Sequence, residues 1–251
     1  TFLFGVRDWF YYADCFSVLF RVIGKVAPFD FAHGALRLRM PFSALATEYA
    51  SSFSETLLII FLLASTMFDG LRETVTGSSF LLKLSNHAFV QIFVGLVLLF
   101  VACILVYVGI IFIMKRMLHE SRSIVSLASL YAYSLVPIAL AYNIAHYIGL
   151  FSIELQSFII RLSDPLNRGW NLFGTSGMSV RPDVITAQGI WQIQLAVIVV
   201  GHVIGVYVAH RIAVVAHTSS RKVWVSQLPM LVVMILYTML GLWILAEPLA
   251  V

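Results

Sequence analysis

Charged residues are scarce in this sequence, and their scarcity excludes most kinds of soluble protein. Asp, Glu, Lys and Arg make up 11% of the 251 residues, whereas a soluble domain carries about 25%. Apolar residues make up 61%, against roughly 45–50% in a soluble domain. Because so few charges could not cover a water-soluble surface, the sequence predicts an integral membrane protein.

Cysteine is also rare, since the chain contains only Cys15 and Cys103. The two residues lie in unrelated segments, and neither belongs to a C-x-x-C motif. This pattern excludes a disulfide framework and a cysteine-based zinc or iron–sulfur site.

The start of the sequence lacks an initiator methionine and the basic segment that opens a signal peptide. The segment Thr1–Val6 is mostly apolar. We therefore expect it to be the tail of an earlier helix, and the chain to be the C-terminal part of a longer protein. Removal of a cleaved signal is the alternative.

Long apolar runs dominate what is present. A membrane-spanning helix needs about 20 mostly apolar residues, and four runs meet this need: Ala88–Met114, Ile124–Tyr147, Gly189–Ala216 and Val223–Ala246. A fifth run, Ser51–Asp69, is shorter and ends near charged residues. The sequence thus predicts an all-α, polytopic transmembrane helical bundle with about five spans.

Two further segments mix charges with apolar residues, as helices that lie in the membrane interface do. They are residues 6–28 and the stretch Gly149–Leu162. We therefore expect two interfacial amphipathic helices beside the spans. Residues 1–251 would form a single transmembrane domain.

The distribution of Lys and Arg predicts the orientation. Connectors at 7–39, 115–122 and 211–222 hold eleven of the 16 basic residues, and the alternate connectors hold the other five. Because cytoplasmic loops carry more Lys and Arg, the first set should be cytoplasmic, with the C-terminus outside the cell (inner) membrane. The net charge of +4 thus reflects topology, and we expect the lipid bilayer and no nucleic acid as a partner.

Small residues on the fourth run predict close helix packing. Gly201, Gly205 and Ala209 are spaced four apart, which lets a neighbouring backbone approach closely. In the third run, Pro137 should distort the helix, and Ser134 could satisfy a freed carbonyl group.

A polar cluster is the main candidate site. Asn143 and His146 share a helix face near the outer end of the third run, and Asp69 and Asp164 lie in adjacent outer segments. Imidazole and carboxylates at one depth could bind a divalent metal or supply a general base. Alternatively, Asn143 and His146 form hydrogen bonds across helices and hold the bundle together.

His202 is a secondary candidate because it falls near the middle of the fourth run. It could ligate haem or relay protons. No second histidine at the same depth supports haem, and a structural role is the alternative.

The predicted outer loop, residues 163–188, is longer than most connections in folded domains. It contains Trp170, Leu172 and Phe173, which argue against disorder. The loop could form a lid over the His146 region or a docking surface for a partner subunit.

Several motifs resemble a family of bacterial polytopic membrane proteins, some of which carry the name fenitrothion hydrolase. The similar segments are Ser65–Leu71, Tyr133–Pro137 with Ala141–Tyr147, Asp164-Pro165 with Gly169–Thr175, and Gly201-His202-Val203. The resemblance implies a longer parent protein and phosphotriester hydrolysis.

Three functional hypotheses follow. The first is an accessory or structural subunit of a larger membrane complex, with other membrane subunits as partners, because no complete catalytic motif is present. The second is a metal-assisted hydrolase with its site at the outer face. The third is a transporter or channel, which rests on the number of spans and on His202.

Overall fold

The computed structural model of the chain describes residues 5–31, 35–50 and 52–247. Its helices are α1 (Val6–Asp8), α2 (Cys15–Gly24), α3 (Ser43–Thr47), α4 (Phe53–Glu73), α5 (Val75–Leu84), α6 (Ala88–Leu118), α7 (Ile124–Tyr131), α8 (Val136–Ser163), α9 (Ala187–Ala216) and α10 (Ser220–Ala246). One short antiparallel hairpin pairs β1 (Phe29–Asp30) with β2 (Arg37–Leu38).

Five helical segments in the described part of the chain are long and apolar enough to cross a membrane. They are α4, α6, the joined α7 and α8, α9 and α10. This confirms the all-α bundle with five spans, and the chain is a multi-pass membrane protein. The segment Thr1–Phe4, where a helix tail is expected, lies outside the described residues.

The two ends of the bundle differ in their connectors. At one end, short turns join α6 to α7 and α9 to α10, flanked by Lys115, Arg122 and Lys222. We call this the basic end. The opposite end carries the connector between α8 and α9, residues 164–186, and we call it the loop end.

The N-terminal segment is broken into pieces where one amphipathic helix was predicted over residues 6–28. A π-helical turn at residues 9–13 follows α1, and Asp14 then adopts an extended backbone before α2 begins. The Asp14 carboxylate accepts a hydrogen bond of 2.7 Å from the backbone N–H of Ser17, which caps α2. Hydrogen bonding to the Ser17 side chain, and then to this N–H, lowers the pKa of Asp14. With ten residues, α2 is too short to span a membrane.

The third span is distorted before Pro137, as predicted. A 3₁₀ turn at residues 132–135 separates α7 from α8. Because proline has no N–H to donate, the carbonyl of Tyr133 accepts from the N–H of Val136 instead. The Ser134 hydroxyl donates to the carbonyl oxygen of Tyr131 over 2.7 Å, so Ser134 does serve a backbone group in this turn.

The stretch Gly149–Leu162 is helical as expected, but it is not a separate interfacial helix. It belongs to α8, which continues from Val136 to Ser163 without a break. The polar residues in this stretch mark the end of the apolar run and not the end of the helix, since Glu, Gln and Arg are good helix formers.

The small-residue face of α9 lies against α8. A Cβ placed on Gly201 would overlap the Cβ of Ala141 and lie 3.0 Å from the Pro137 carbonyl oxygen. A Cβ on Gly205 would lie 3.0 Å from the Ser134 carbonyl oxygen, and Ala209 is buried. Glycine therefore lets the two backbones approach where α8 begins.

Candidate functional site

Two of the predicted cluster residues lie on facing sides of α4 and α8 at the loop end. The Asp69 carboxylate accepts a hydrogen bond of 3.2 Å from the Tyr147 hydroxyl, and its other oxygen lies 3.6 Å from Arg72 Nε. His146 Nδ1 would lie 3.9 Å from a Cβ on Gly70, the residue after Asp69. An imidazole and a carboxylate thus share this corner of the bundle.

The hydrogen bond that Asn143 forms does not link two helices, as its alternative, structural role would require. Its side-chain amide donates to the carbonyl oxygen of Ala139, one turn earlier on the same helix, over 2.9 Å. A link between α8 and α9 at this level comes from Gln194, whose amide donates to the Ala145 carbonyl oxygen over 2.9 Å. The predicted catalytic or metal-binding role of Asn143 and His146 stays a prediction.

Asp164 lies far from His146, so the expected convergence of these two residues is wrong. The unbroken helix α8 separates them by about 27 Å at 1.5 Å per residue. The Asp164 carboxylate instead accepts hydrogen bonds from the backbone N–H groups of Arg168, at 2.8 Å, and Gly169, at 2.7 Å. It therefore shapes the start of the outer loop.

Metal ligands do not cluster in the described residues. Within residues 5–31, 35–50 and 52–247, no group of three or more His, Cys, Asp and Glu side chains is placed to hold a metal ion. If only Asp69 and His146 bound a divalent metal, water or further ligands would have to fill most of its coordination positions.

His202 lies between α9 and α10. Its Nδ1 is 2.9 Å from the carbonyl oxygen of Ile198, one turn earlier. Its buried Nε2 lies near the Met234 carbonyl but forms no hydrogen bond of good geometry. These contacts are those of a histidine that joins two helices.

A buried carboxylate at the basic end was not among the predicted site residues. Glu55, in the first turn of α4, is 3% exposed, and its Oε1 accepts a hydrogen bond of 2.9 Å from the buried Tyr133 hydroxyl. The hydroxyl of the next residue, Thr56, donates to Ser129 Oγ over 3.4 Å. The sequence carries a signal for Glu55, because Ser52-x-x-Glu55 has the form of a capping box and the Ser52 hydroxyl caps α4.

A polar cleft opens beside Glu55 and is lined by both the N-terminal segment and α4. Its volume is about 210 Å³, and its walls include Tyr11, Arg21, Ser52 and Glu55. The Arg21 guanidinium is engaged with Tyr11, donating to its carbonyl oxygen over 2.9 Å and stacking 4.4 Å from its ring centre. The cleft thus lies between the N-terminal segment and the first span, α4.

A second buried polar group at the basic end surrounds His217, which follows α9. His217 Nδ1 lies 3.8 Å from a Glu120 carboxylate oxygen, and Nε2 lies 3.4 Å from the Tyr131 hydroxyl. Burial lowers the pKa of His217 below its usual 6.5, Glu120 acts in the opposite direction, and Arg122 and Lys222 add to the lowering. This connector is therefore fixed by polar contacts.

The chain matches no protein-family model, no curated protein and no solved structure.

Proposed function

We propose that the protein is an accessory subunit of a larger membrane complex and that its loop end binds the partner subunit. One observation carries this proposal. The last three turns of α8 and the connector after them extend past the start of α9 while keeping large apolar side chains exposed.

The length of this extension follows from the pairing of α8 with α9. Gly149 faces Ile190, whose side chain would lie 3.9 Å from a Cβ at position 149, and Gln194 bonds to Ala145. Because α9 begins at Ala187, α8 continues for about 11 residues, or roughly 16 Å, beyond it. The headgroup layer is only about 5–8 Å thick on each side of the hydrocarbon core.

The connector is held against α8 by hydrogen bonds. The Ser163 hydroxyl donates to Asn171 Oδ1 over 3.0 Å, and the same oxygen accepts from the Ser176 N–H at 3.2 Å. Gln156 both donates to the carbonyl and accepts from the N–H of Arg181, each at 3.0 Å. An ordered loop loses little conformational entropy when it binds.

Exposed apolar side chains cover this ordered projection. We call them the docking face, and they are Leu155, Phe158, Leu162, Leu166, Trp170, Leu172, Phe173 and Met178. Large apolar patches beyond the lipid are costly unless a partner covers them, and aromatic anchors dominate the energy of protein interfaces. A partner subunit at this face explains both features.

We propose that this face lies on the outer side of an inner membrane, with the basic end cytoplasmic and the C-terminus outside, because cytoplasmic loops carry more Lys and Arg. To test this orientation, single cysteines are introduced at Ser176 and at Ser121 in a chain whose two native cysteines are replaced by serine. A membrane-impermeant thiol reagent in intact cells should label position 176 and spare position 121. The reverse pattern would invert the orientation.

Purification in a gentle detergent from the native membrane tests the subunit proposal. The 28.0 kDa chain should elute within a larger assembly, and Phe173→Asp should release it because a charge is placed on the docking face. Leu38→Asp, a change at an exposed apolar residue of the hairpin, should leave the assembly intact. A monodisperse single protomer with full activity would contradict the proposal.

A hydrolase at the loop end is the second candidate, favoured by the shared corner of Asp69 and His146 and by the family resemblance. In that case His146 would be the general base, and Asp164 would take no part in orienting its imidazole ring. His146→Ala should then abolish hydrolysis of a phosphotriester, while His202→Ala should chiefly lower stability. Unchanged phosphotriester hydrolysis in the His146 variant would exclude this role.

A further inference from the structure

An apolar cavity lies inside the bundle, away from both polar ends. Its volume is about 300 Å³. Its floor is formed by buried residues of α4 and of the third span, including Leu63, Met67, Leu135 and Ile138. We call it the midplane cavity for the reason that follows.

The cavity lies halfway along the spans. Leu63, Cys103 and Val233 all line it, and each is the central residue of its helix, α4, α6 and α10. Since these helices cross the membrane, the cavity is at the level where the ends of lipid hydrocarbon chains meet. A water-soluble ligand or a lipid headgroup does not reach that depth.

The entrance faces sideways, between α6 and α10. Ala102 and Val106 of α6 and Leu236 and Leu240 of α10 line the cavity, and all four are exposed on the outside of the bundle. The floor residues are buried. The cavity is therefore a recess that opens from the hydrocarbon layer into the core of the protein.

The chemistry of the lining fits only an apolar occupant. None of its residues is charged. The two tyrosines in the lining use their hydroxyls within the protein: Tyr107 donates to the Ala128 carbonyl oxygen over 2.7 Å, and Tyr237 donates to that of Leu63 over 3.1 Å. Because these donors are already bonded, they are not left to anchor a polar ligand.

The size of the cavity matches part of a lipid chain. An apolar cavity of about 150 Å³ accepts benzene, so one of about 300 Å³ has room for roughly a dozen carbon atoms. An unfilled recess of this size would forfeit dispersion contacts along its walls. A hydrocarbon chain that enters from the side restores them.

We propose that the midplane cavity is a binding site for one hydrocarbon chain of a membrane lipid, inserted between α6 and α10. This site is independent of the docking face. A hydrocarbon chain bound here lies in the core of the protein, whereas the surrounding lipids contact only its outer surface.

Photo-crosslinking tests the proposal directly. The protein is reconstituted in phospholipid vesicles that contain a small fraction of phosphatidylcholine with a diazirine near the end of one chain. Adducts are then located by mass spectrometry. We expect adducts on the floor residues Leu63 and Ile138, which are 6% and 2% exposed and which surrounding lipid does not reach.

Variants at the entrance distinguish a bound chain from surrounding lipid. Ala102→Phe, which narrows the entrance, should reduce the floor adducts by about tenfold, equivalent to about 1.4 kcal/mol of binding free energy. Leu236→Phe acts from the opposite side and serves as a second test if the first variant does not fold. Val101→Phe, on the adjacent exposed position of α6, is the matched control and should change nothing.

Three results would overturn the proposal. One is labelling confined to exposed positions such as Leu105, with none on the floor. Another is floor labelling that persists in folded Ala102→Phe and Leu236→Phe proteins. A helix of another protein crosslinked through a photoreactive residue at Val106 in the native membrane would also overturn it, because the cavity would then be a protein contact.

Discussion

Two carboxylates near opposite ends of α4, Glu55 and Asp69, make the same contact in opposite surroundings. Glu55 at the basic end and Asp69 at the loop end each accept a hydrogen bond from a tyrosine 78 positions later in the chain. These tyrosines are Tyr133, which is 2% exposed, and Tyr147, which is 44% exposed. The helix α4 and the third span, from its 3₁₀ turn into α8, thus keep one register over roughly four turns, while the burial of the two contacts differs completely.

The difference indicates that the two ends have different tasks. Buried polar pairs are costly to break, because a group left without its partner cannot bond to water. Exposed ion pairs contribute only about 0–1 kcal/mol. We therefore expect the polar contacts of the basic end to stay fixed, and those of the loop end to adjust if the proposed partner subunit binds there.

Removal of the buried carboxylate should have the largest effect. Glu55→Ala is expected to lower the free energy of unfolding by about 2–3 kcal/mol, because the buried Tyr133 hydroxyl loses its acceptor. Denaturant titration of the purified protein in lipid–detergent micelles measures this. Tyr133→Phe is the control and should cost only about 1 kcal/mol, since it leaves the Glu55 carboxylate with its other contact.

A loss below about 0.5 kcal/mol for Glu55→Ala would mean that this pair behaves like a surface pair. The contrast between the two ends would then be lost.

Acidification should destabilise the basic end by a smaller amount. Burial lowers the pKa of His217, so below pH 6.5 the unfolded chain binds a proton that the folded chain resists. Stability should therefore be constant above that pH and fall as the pH drops below 6.5. Unfolding midpoints measured between about pH 7.5 and pH 5.5 test this, and His217→Gln should reduce the slope.

The same slope in the His217→Gln protein would assign the pH dependence to other groups. The charged groups that face His217 are Glu120, Arg122 and Lys222, and matched substitutions at these positions identify the one responsible.

Removal of the exposed carboxylate should have the smallest effect. Asp69→Asn is expected to change the free energy of unfolding by less than about 1 kcal/mol, because Tyr147 and Arg72 can both bond to water instead. The same denaturant titration is used, with Glu55→Gln as the matched substitution at the buried end. A larger loss at Asp69 than at Glu55 would reverse the comparison.

The sequence predicted the spans well and the polar contacts poorly, for a physical reason. A run such as Ala88–Met114 can be recognised from its own residues, since a helix that crosses lipid needs apolar side chains along its whole length. The contact between Glu55 and Tyr133 depends on how two distant helices align, and neither residue is unusual by itself. The position of Asp164 was predicted wrongly because the sequence of Gly149–Leu162 favours a helix but does not show whether that helix turns into the membrane interface or continues α8, as it does.

Photo-crosslinking in intact cells shows whether the docking face touches another protein, as we propose. A photoreactive amino acid replaces Phe173 in one strain and Leu105, an exposed residue in the middle of α6, in another. We expect a discrete protein adduct from position 173 and none from position 105. No protein adduct at position 173, or equal adducts at both positions, would contradict the proposal.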